Sequence, residues 1–216
     1  MAPLAKKLDK VERSYDALAE EYAKRISSEL DQRPRERELL QRFAARCRDR
    51  GMICDLGCGP GHVARYIQEF NPSVIGLDLS LQSVIEARQR NPEIPFVQGD
   101  MLALPFASGR LGGIVAFYSI IHFDGPQVEQ SFAEMWRALR KGGHLLLGFH
   151  VGSETVHVDE EFGVSIDLDA TFFTMDDLTR RLALAGFTIT EQFQRQLNPG
   201  LEYPSVRGYI WATKLG

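Results

Sequence analysis

Three carboxylates stand near the ends of three short apolar runs: Asp55 in "MICDL", Asp78 in "SVIGLD" and Asp100 in "IPFVQGD". After the first comes "GCGPG", in which Gly57, Gly59 and Gly61 strip the Cβ atoms from a bend and let the backbone approach a bound molecule. Carboxylates beside such a bend can accept hydrogen bonds from paired hydroxyls or neutralise a cationic group. His122 in "SIIHF" and His150 at the end of "HLLLGFH" add imidazoles, which titrate near neutrality and serve as general bases.

These groups need a frame to bring them together. Leu4, Leu8, Val11, Tyr15, Leu18, Tyr22, Ile26 and Leu30 recur at steps of three and four, which predicts an amphipathic helix. A second helix follows, with Pro34 early, Gly51 as its stop and the apolar stripe Leu39, Leu40, Phe43, Ala44 and Cys47. Its arginines read as a solvated face. From residue 51 strand and helix patterns alternate through "MICDL", "SVIGLDL", "IPFVQGD", "GGIVAFYS" and "HLLLGFH", which predicts parallel strands covered on both faces. The late runs "FTITEQFQRQ" and "RGYIWATKL" predict a C-terminal antiparallel hairpin. The expected fold is α/β: a Rossmann-like, doubly wound, mostly parallel sheet. Residues 1–50 form a helical lid and residues 51–216 the ligand-binding domain, as one structural unit.

In open α/β sheets the ligand lies beyond the carboxyl ends of the strands. A dinucleotide fingerprint would need a third glycine where this chain has His62, and Asp55 would repel a pyrophosphate. That disfavours an NAD-dependent oxidoreductase. S-adenosyl-L-methionine (SAM), a nucleoside with a cationic tail, suits three acids better. Asp55 would face the cationic end, Asp78 the ribose hydroxyls, and Asp100 the adenine amino group with Met101 against the ring.

The motifs "DLGCGPGH" (55–62), "GLDLS" (76–80), "GDMLALPF" (99–106), "FYSIIHF" (117–123) and "LRKGGHLLLGFH" (139–150) occur in order. On them the chain resembles the class I SAM-dependent methyltransferases, and within these the small-molecule branch that includes quinone-biosynthesis methyltransferases. The resemblance implies seven strands, the last inserted antiparallel between the fifth and sixth, with the two N-terminal helices as lid. It implies cofactor contacts from Tyr15, Tyr22, Asp55, Gly57, Cys58, Gly59, Asp78, Leu79, Asp100, Met101, Leu102 and Tyr118. Tyr15 and Tyr22 also read as plain core residues. His150 and His122 are the catalytic candidates, and Glu202, Tyr203 and Arg207 candidates for acceptor contact. The family usually has Asp where this chain has Gly112, which predicts a local loss of hydrogen bonding.

Residues 150–177 hold eight acids and no Lys or Arg. They read as a solvated loop, or as an acceptor lid whose negative field favours a neutral or cationic small molecule over an acidic one. His150, His157, Asp159 and Glu160 lack convincing metal-ligand spacing, so no metal is expected. A net charge of −4 argues against nucleic acid, and no apolar run is long enough to span a membrane. The N-terminus lacks the apolar core of a signal peptide, and three cysteines read as reduced thiols of a cytoplasmic protein. RNA or protein acceptors, and a non-catalytic SAM-binding protein, remain alternative readings. The acceptor atom stays open between oxygen, nitrogen and carbon.

Overall fold

A computed structural model describes residues 3–197 and 203–216, with side chains from residue 8 onward, so Leu4 and Glu202 fall outside the described side chains. The alternating stretch gives β1 (Met52–Leu56), β2 (Val74–Asp78), β3 (Phe96–Gln98), β4 (Leu111–Phe117) and β5 (Leu139–Val151). After it come β6 (Thr155–Glu161), β7 (Val164–Thr171), β8 (Phe187–Arg195) and β9 (Val206–Lys214). The main sheet has seven strands in the order β3-β2-β1-β4-β5-β9-β8. The first five pair in parallel, and β9 runs antiparallel to both β5 and β8.

The helices are α1 (Pro3–Ile26), α2 (Pro34–Cys47), α3 (His62–Gln68), α4 (Leu81–Arg90), α5 (Gly125–Ala138) and α6 (Met175–Leu184). Strand alternation divides the core between two layers. Ile114, Ala116, Leu145 and Leu147 face α5 and α6, whereas Val115 and Leu146 face α2, α3 and α4. The predicted stripe of α2 is buried there against Ile53 and Trp211. The arginines here do more than meet solvent: Arg42 of α2 holds Glu191 at 2.8 Å and Arg48, just past its end, donates to the carbonyl of Phe70 at 2.7 Å.

Helix α1 instead crosses the carboxyl ends of the strands. Its amphipathic face points to the sheet edge and its polar residues tie both flanks. On one side Asp16 accepts from the Ser80 hydroxyl (2.6 Å) and the Gln82 amide (3.1 Å) at the start of α4, and Glu12 accepts from Gln98 at 3.0 Å. On the other, Lys10 pairs with Asp167 at 2.6 Å and the Ser14 hydroxyl accepts from the Asp167 amide at 3.2 Å.

Two expectations are corrected. Residues 155–171 are no loop: β6 and β7 form an antiparallel hairpin with Glu161 opposite Val164 and left-handed φ of 54° at Phe162 and 81° at Gly163. Such a two-residue turn matches the twist of the strands it joins. Apolar residues alternate inward along it, while Asp159, Glu160 and Asp167 are exposed. Gly112 is a packing device: a Cβ there would sit 2.5 Å from the Arg50 carbonyl oxygen, at a register shift between β4 and β5. The crossing backbone leaves no room for a side chain. Among the described residues no helix is long and apolar enough to cross a membrane, and all three cysteines are free and buried.

Candidate active site

The turn after β1 builds a floor from backbone. Gly57 adopts φ 69°, and a Cβ on it would lie 2.4 Å from that of Ser119. At Gly59, φ 50°, an added Cβ would meet only the ring of Tyr22, at 3.6 Å. The bend is therefore bare toward the lid. Its amides turn inward: Gly57 and Cys58 donate to the Leu77 carbonyl at 2.7 and 3.1 Å. The Gly59 amide donates to Asp78 Oδ2 at 2.8 Å, while the Ser80 amide donates to Oδ1 at 2.9 Å. The Leu79 amide bonds the same carboxylate, which keeps acceptor capacity for a ligand. Burial pushes the Asp78 carboxyl up, and the backbone amides pull it back down.

Above this floor lies a cavity closed over by α1. Gly57, Gly59, Asp78, Leu79, Asp100 and Met101 line its floor, and Tyr15, Tyr22, Tyr118 and His122 complete the wall. Asp100 is fixed by the Leu102 amide, which donates to Oδ1 at 2.8 Å. The structure thus brings together ten of the residues singled out in the sequence.

Asp55, Cys58 and Leu102 do not line the cavity. The Asp55 carboxylate turns back under the bend, accepts the Ala64 amide at 3.0 Å and ties down the first turn of α3. Burial pushes it up to about 7, against the pull of His62 and of that amide. Cys58 faces Gly76, where an added Cβ would lie 2.9 Å from its sulfur, and Leu102 belongs to the core.

Tyr15, Tyr22, Tyr118 and His122 also line a second chamber, whose far wall includes Arg33, His150, Tyr203 and Arg207. The hairpin contributes Val158, Glu161, Phe162, Ile166, Leu168 and Ala170 to it. The two non-glycine residues with left-handed φ among the described residues, Tyr118 and Phe162 (both 54°), sit on this chamber. An aromatic residue in that region costs of order 1 kcal/mol or more, and such strain gathers where a side chain must be aimed.

At the junction, His122 Nδ1 lies 2.9 Å from the Asp169 carbonyl, and its Nε2 lies 2.8 Å from the Tyr15 hydroxyl. A carbonyl can only accept, so Nδ1 carries the hydrogen and the neutral ring presents Nε2 as acceptor to Tyr15. Burial raises the Tyr15 phenol above its ordinary value, which keeps it protonated. Tyr118 bonds Tyr209 at 2.7 Å, and Tyr209 donates to Glu36, which pairs with Arg195. Burial pushes the Tyr118 phenol up to about 12.

His150 is placed differently. Its Nδ1 receives the guanidinium of Arg207 and lies 2.6 Å from the Ser205 hydroxyl, while its ring stacks on Phe172 at 5.0 Å. An arginine nitrogen only donates, so that lone pair is engaged. Of the last-loop candidates, Tyr203 and Arg207 line the second chamber, and Glu202 lies outside the described residues. Sequence reasoning missed Arg33 and the inward face of the hairpin. The period-two alternation of Val156, Val158, Ile166 and Leu168 was the signal that could have found the latter.

Residues 53–143 match the sequence model of the methyltransferase domain family. Over that stretch the chain is similar to a methyltransferase domain. Malonyl-[acyl-carrier protein] O-methyltransferase of Enterobacter lignolyticus is 36% identical over 93 residues, 43% of this chain and 36% of that protein. A demethylmenaquinone methyltransferase of Renibacterium salmoninarum is 28% identical over 95 residues, 44% of this chain and 39% of the relative. The chain therefore spans well under half the length of these relatives in the matched region. The DhpI–SAH complex superposes with a TM-score of 0.74 at 19% identity, covering 96% of this chain and 97% of that one. The two share a Rossmann-like fold, and in this chain α1 and the β6–β7 hairpin lie above the strand ends.

Proposed function

We propose that the protein transfers a methyl group from SAM to a small organic acceptor. The observation that carries this reading is the pair of adjoining chambers sharing Tyr15, Tyr22, Tyr118 and His122, with the Asp78 carboxylate and a bare glycine bend in only one of them. The residues fit the cofactor. Asp78 offers its remaining acceptor capacity to the ribose hydroxyls, Asp100 and Met101 stand beyond it for the adenine, and the open face of Gly59 lets the tail pass beneath Tyr22. Asp55 supports this from below, by fixing the turn that positions the glycines.

When bound, SAM supplies an electrophilic methyl group on a positively charged sulfur. The chain's own contribution is placement and proton management. Helix α1 and the hairpin exclude water and hold the acceptor against the shared wall, and positioning of this kind can supply much of the rate. For a hydroxyl acceptor, Tyr15 takes the proton as its own moves to His122 Nε2, leaving an imidazolium whose Nδ1–H stays on the Asp169 carbonyl. An amine would need no such relay. His122 is the better-placed base, because the Nδ1 lone pair of His150 is engaged by Arg207.

A small acceptor is favoured over RNA because Arg37 and Arg42 of α2 and Arg48 just past it are turned to Tyr66, Glu191 and Phe70. The expectation of a neutral or cationic acceptor rested on the acids of residues 150–177, and among these Glu161 alone is on the described wall of the second chamber. Calorimetry with S-adenosylhomocysteine and with NAD tests the cofactor class. Binding of the first and not the second is expected, and the reverse overturns the reading. Turnover of labelled SAM with a panel of phenols, amines and acids then separates an enzyme from a sensor.

A further inference from the structure

SAM brings a positive charge on sulfur, and Asp55 is the carboxylate expected from the sequence to face it. The structure turns Asp55 under the bend onto the Ala64 amide, away from the cavity. A methyl group passing from the first chamber to the second must cross the wall they share, so the sulfur that carries it belongs at that wall. Among the described residues the shared wall is Tyr15, Tyr22, Tyr118 and His122, with no carboxylate in it. What meets the charge there depends on where the phenol hydrogens point.

Two of those hydrogens are committed elsewhere. Glu36 of α2 pairs with Arg195, and its carboxylate accepts from the hydroxyl of Tyr209 on β9. Tyr209 has one hydrogen, and Glu36 takes it. The Tyr118 hydroxyl lies 2.7 Å from the Tyr209 oxygen, so Tyr118 is the donor of that bond. The relay therefore runs from Tyr118 to Tyr209 to Glu36. Bonds in such a series polarise one another, which leaves the Tyr118 oxygen richer in electron density. Tyr15 is set the same way: its hydrogen goes to His122 Nε2, because His122 Nδ1 donates to the Asp169 carbonyl. Two phenol oxygens of the shared wall thus have lone pairs to offer and no hydrogen to give.

The relay is held rigidly. Tyr209 is 1% exposed, its ring stacks on Phe193 at 5.0 Å, and it meets Phe117 edge-on at 5.7 Å. Glu36 is equally buried, and neither residue lines either chamber. Both reach the site through Tyr118, whose left-handed φ persists because its surroundings over-determine it. Arg207 stands 5.1 Å over the Tyr118 ring, so a ring face already serves one cation and the oxygen is the group for a second.

We propose that Glu36 and Tyr209 are positioning residues that fix the Tyr118 oxygen as an acceptor toward the sulfonium of SAM, in the place where a carboxylate was expected. This rests on the methyltransferase reading above and adds how that site meets the charge. A neutral oxygen draws the polarised C–H bonds around a sulfonium through weak hydrogen bonds. It does so without the desolvation cost of burying a carboxylate at the wall.

The test is calorimetry in the absence of any acceptor, with SAM and with its neutral counterpart S-adenosylhomocysteine on each protein. Tyr118→Phe is expected to lower the preference for SAM over S-adenosylhomocysteine by about fivefold, with affinity for the latter changed less than about twofold. Tyr209→Phe keeps the Tyr118 oxygen but frees its hydrogen, and should lower the same preference by about threefold. The double variant should match Tyr118→Phe alone, because Tyr209 acts through Tyr118. Should Tyr209→Phe fail to fold, Glu36→Gln keeps an acceptor, removes the charge and is expected to lower the preference in the same direction. An unchanged or raised preference in Tyr118→Phe overturns the contact, and so does an equal loss for both compounds, the mark of a purely steric role. An unchanged preference in Tyr209→Phe or in Glu36→Gln, or losses that add in the double variant, overturns the positioning relay. Failure of the unaltered protein to bind either compound overturns the methyltransferase reading instead, so the two failures are told apart.

Discussion

The floor and the roof of the site are made in opposite ways. The floor is backbone geometry: amides of Gly57, Cys58, Gly59 and Ser80 close onto Leu77 and Asp78 within a span of a few dozen residues. The roof is side chains from distant places, with Tyr15 of α1, His122 after β4 and Asp169 of β7 meeting across three elements. A ligand common to many enzymes can be met by one fixed backbone bend. A particular acceptor needs side chains that can be exchanged singly. The difference teaches that the two halves fail differently: the floor should lose affinity when altered, and the roof should lose rate.

The largest effect should come from the roof. His122→Gln is expected to lower kcat by about a hundredfold for a hydroxyl acceptor identified by turnover, with S-adenosylhomocysteine affinity changed less than about threefold. The lost acid limb of the pH–rate profile would mark loss of a base and not of shape. An unchanged kcat would break the comparison. Next comes the floor: Asp78→Ala should weaken S-adenosylhomocysteine binding by at least about tenfold in calorimetry, roughly 1.4 kcal/mol, since the charged acceptor for the ribose vanishes. Unaltered affinity would remove the ribose assignment.

The smallest effect is one of stability beneath the floor. Burial holds the Asp55 carboxyl at about 7 in the folded chain, above its ordinary value of 3.8. The folded state therefore binds a proton that the unfolded chain releases. The stability this contributes is full below about pH 4 and is lost as the pH rises through about 7. Asp55→Asn keeps an acceptor for the Ala64 amide without the charge. Its Tm should fall less than that of the parent between pH 5 and pH 8, and parallel curves would contradict the buried carboxyl.

Legibility follows the same division. Gly57, Gly59, Asp78, Asp100 and Met101 were readable because one strand and one turn fix them locally, and a short motif carries all the necessary geometry. Asp55 was readable as important, yet its direction was not: its place one residue before the last of β1 turns it toward α3, which depends on how the helix packs. The hairpin was hidden by composition. Eight acids suggested solvent, while alternating Val, Ile and Leu carried the strand signal. Arg33 and Arg207 are 174 positions apart, and no local pattern pairs a residue before α2 with one on the last strand. Gly112 looked like a missing hydrogen bond because the crossing Arg50 backbone is a tertiary fact.

The antiparallel strand β9 lies between β5 and β8, although both precede it in the chain. During synthesis on a ribosome, the edges of β5 and β8 must therefore wait bare until Val206–Lys214 emerges from the exit tunnel. Arg207, at the start of that segment, reaches the chamber only in the same event. A nascent chain arrested before this point would expose two sticky ribbons to its neighbours and lack part of the chamber wall, so completion of the sheet and completion of the chamber arrive together.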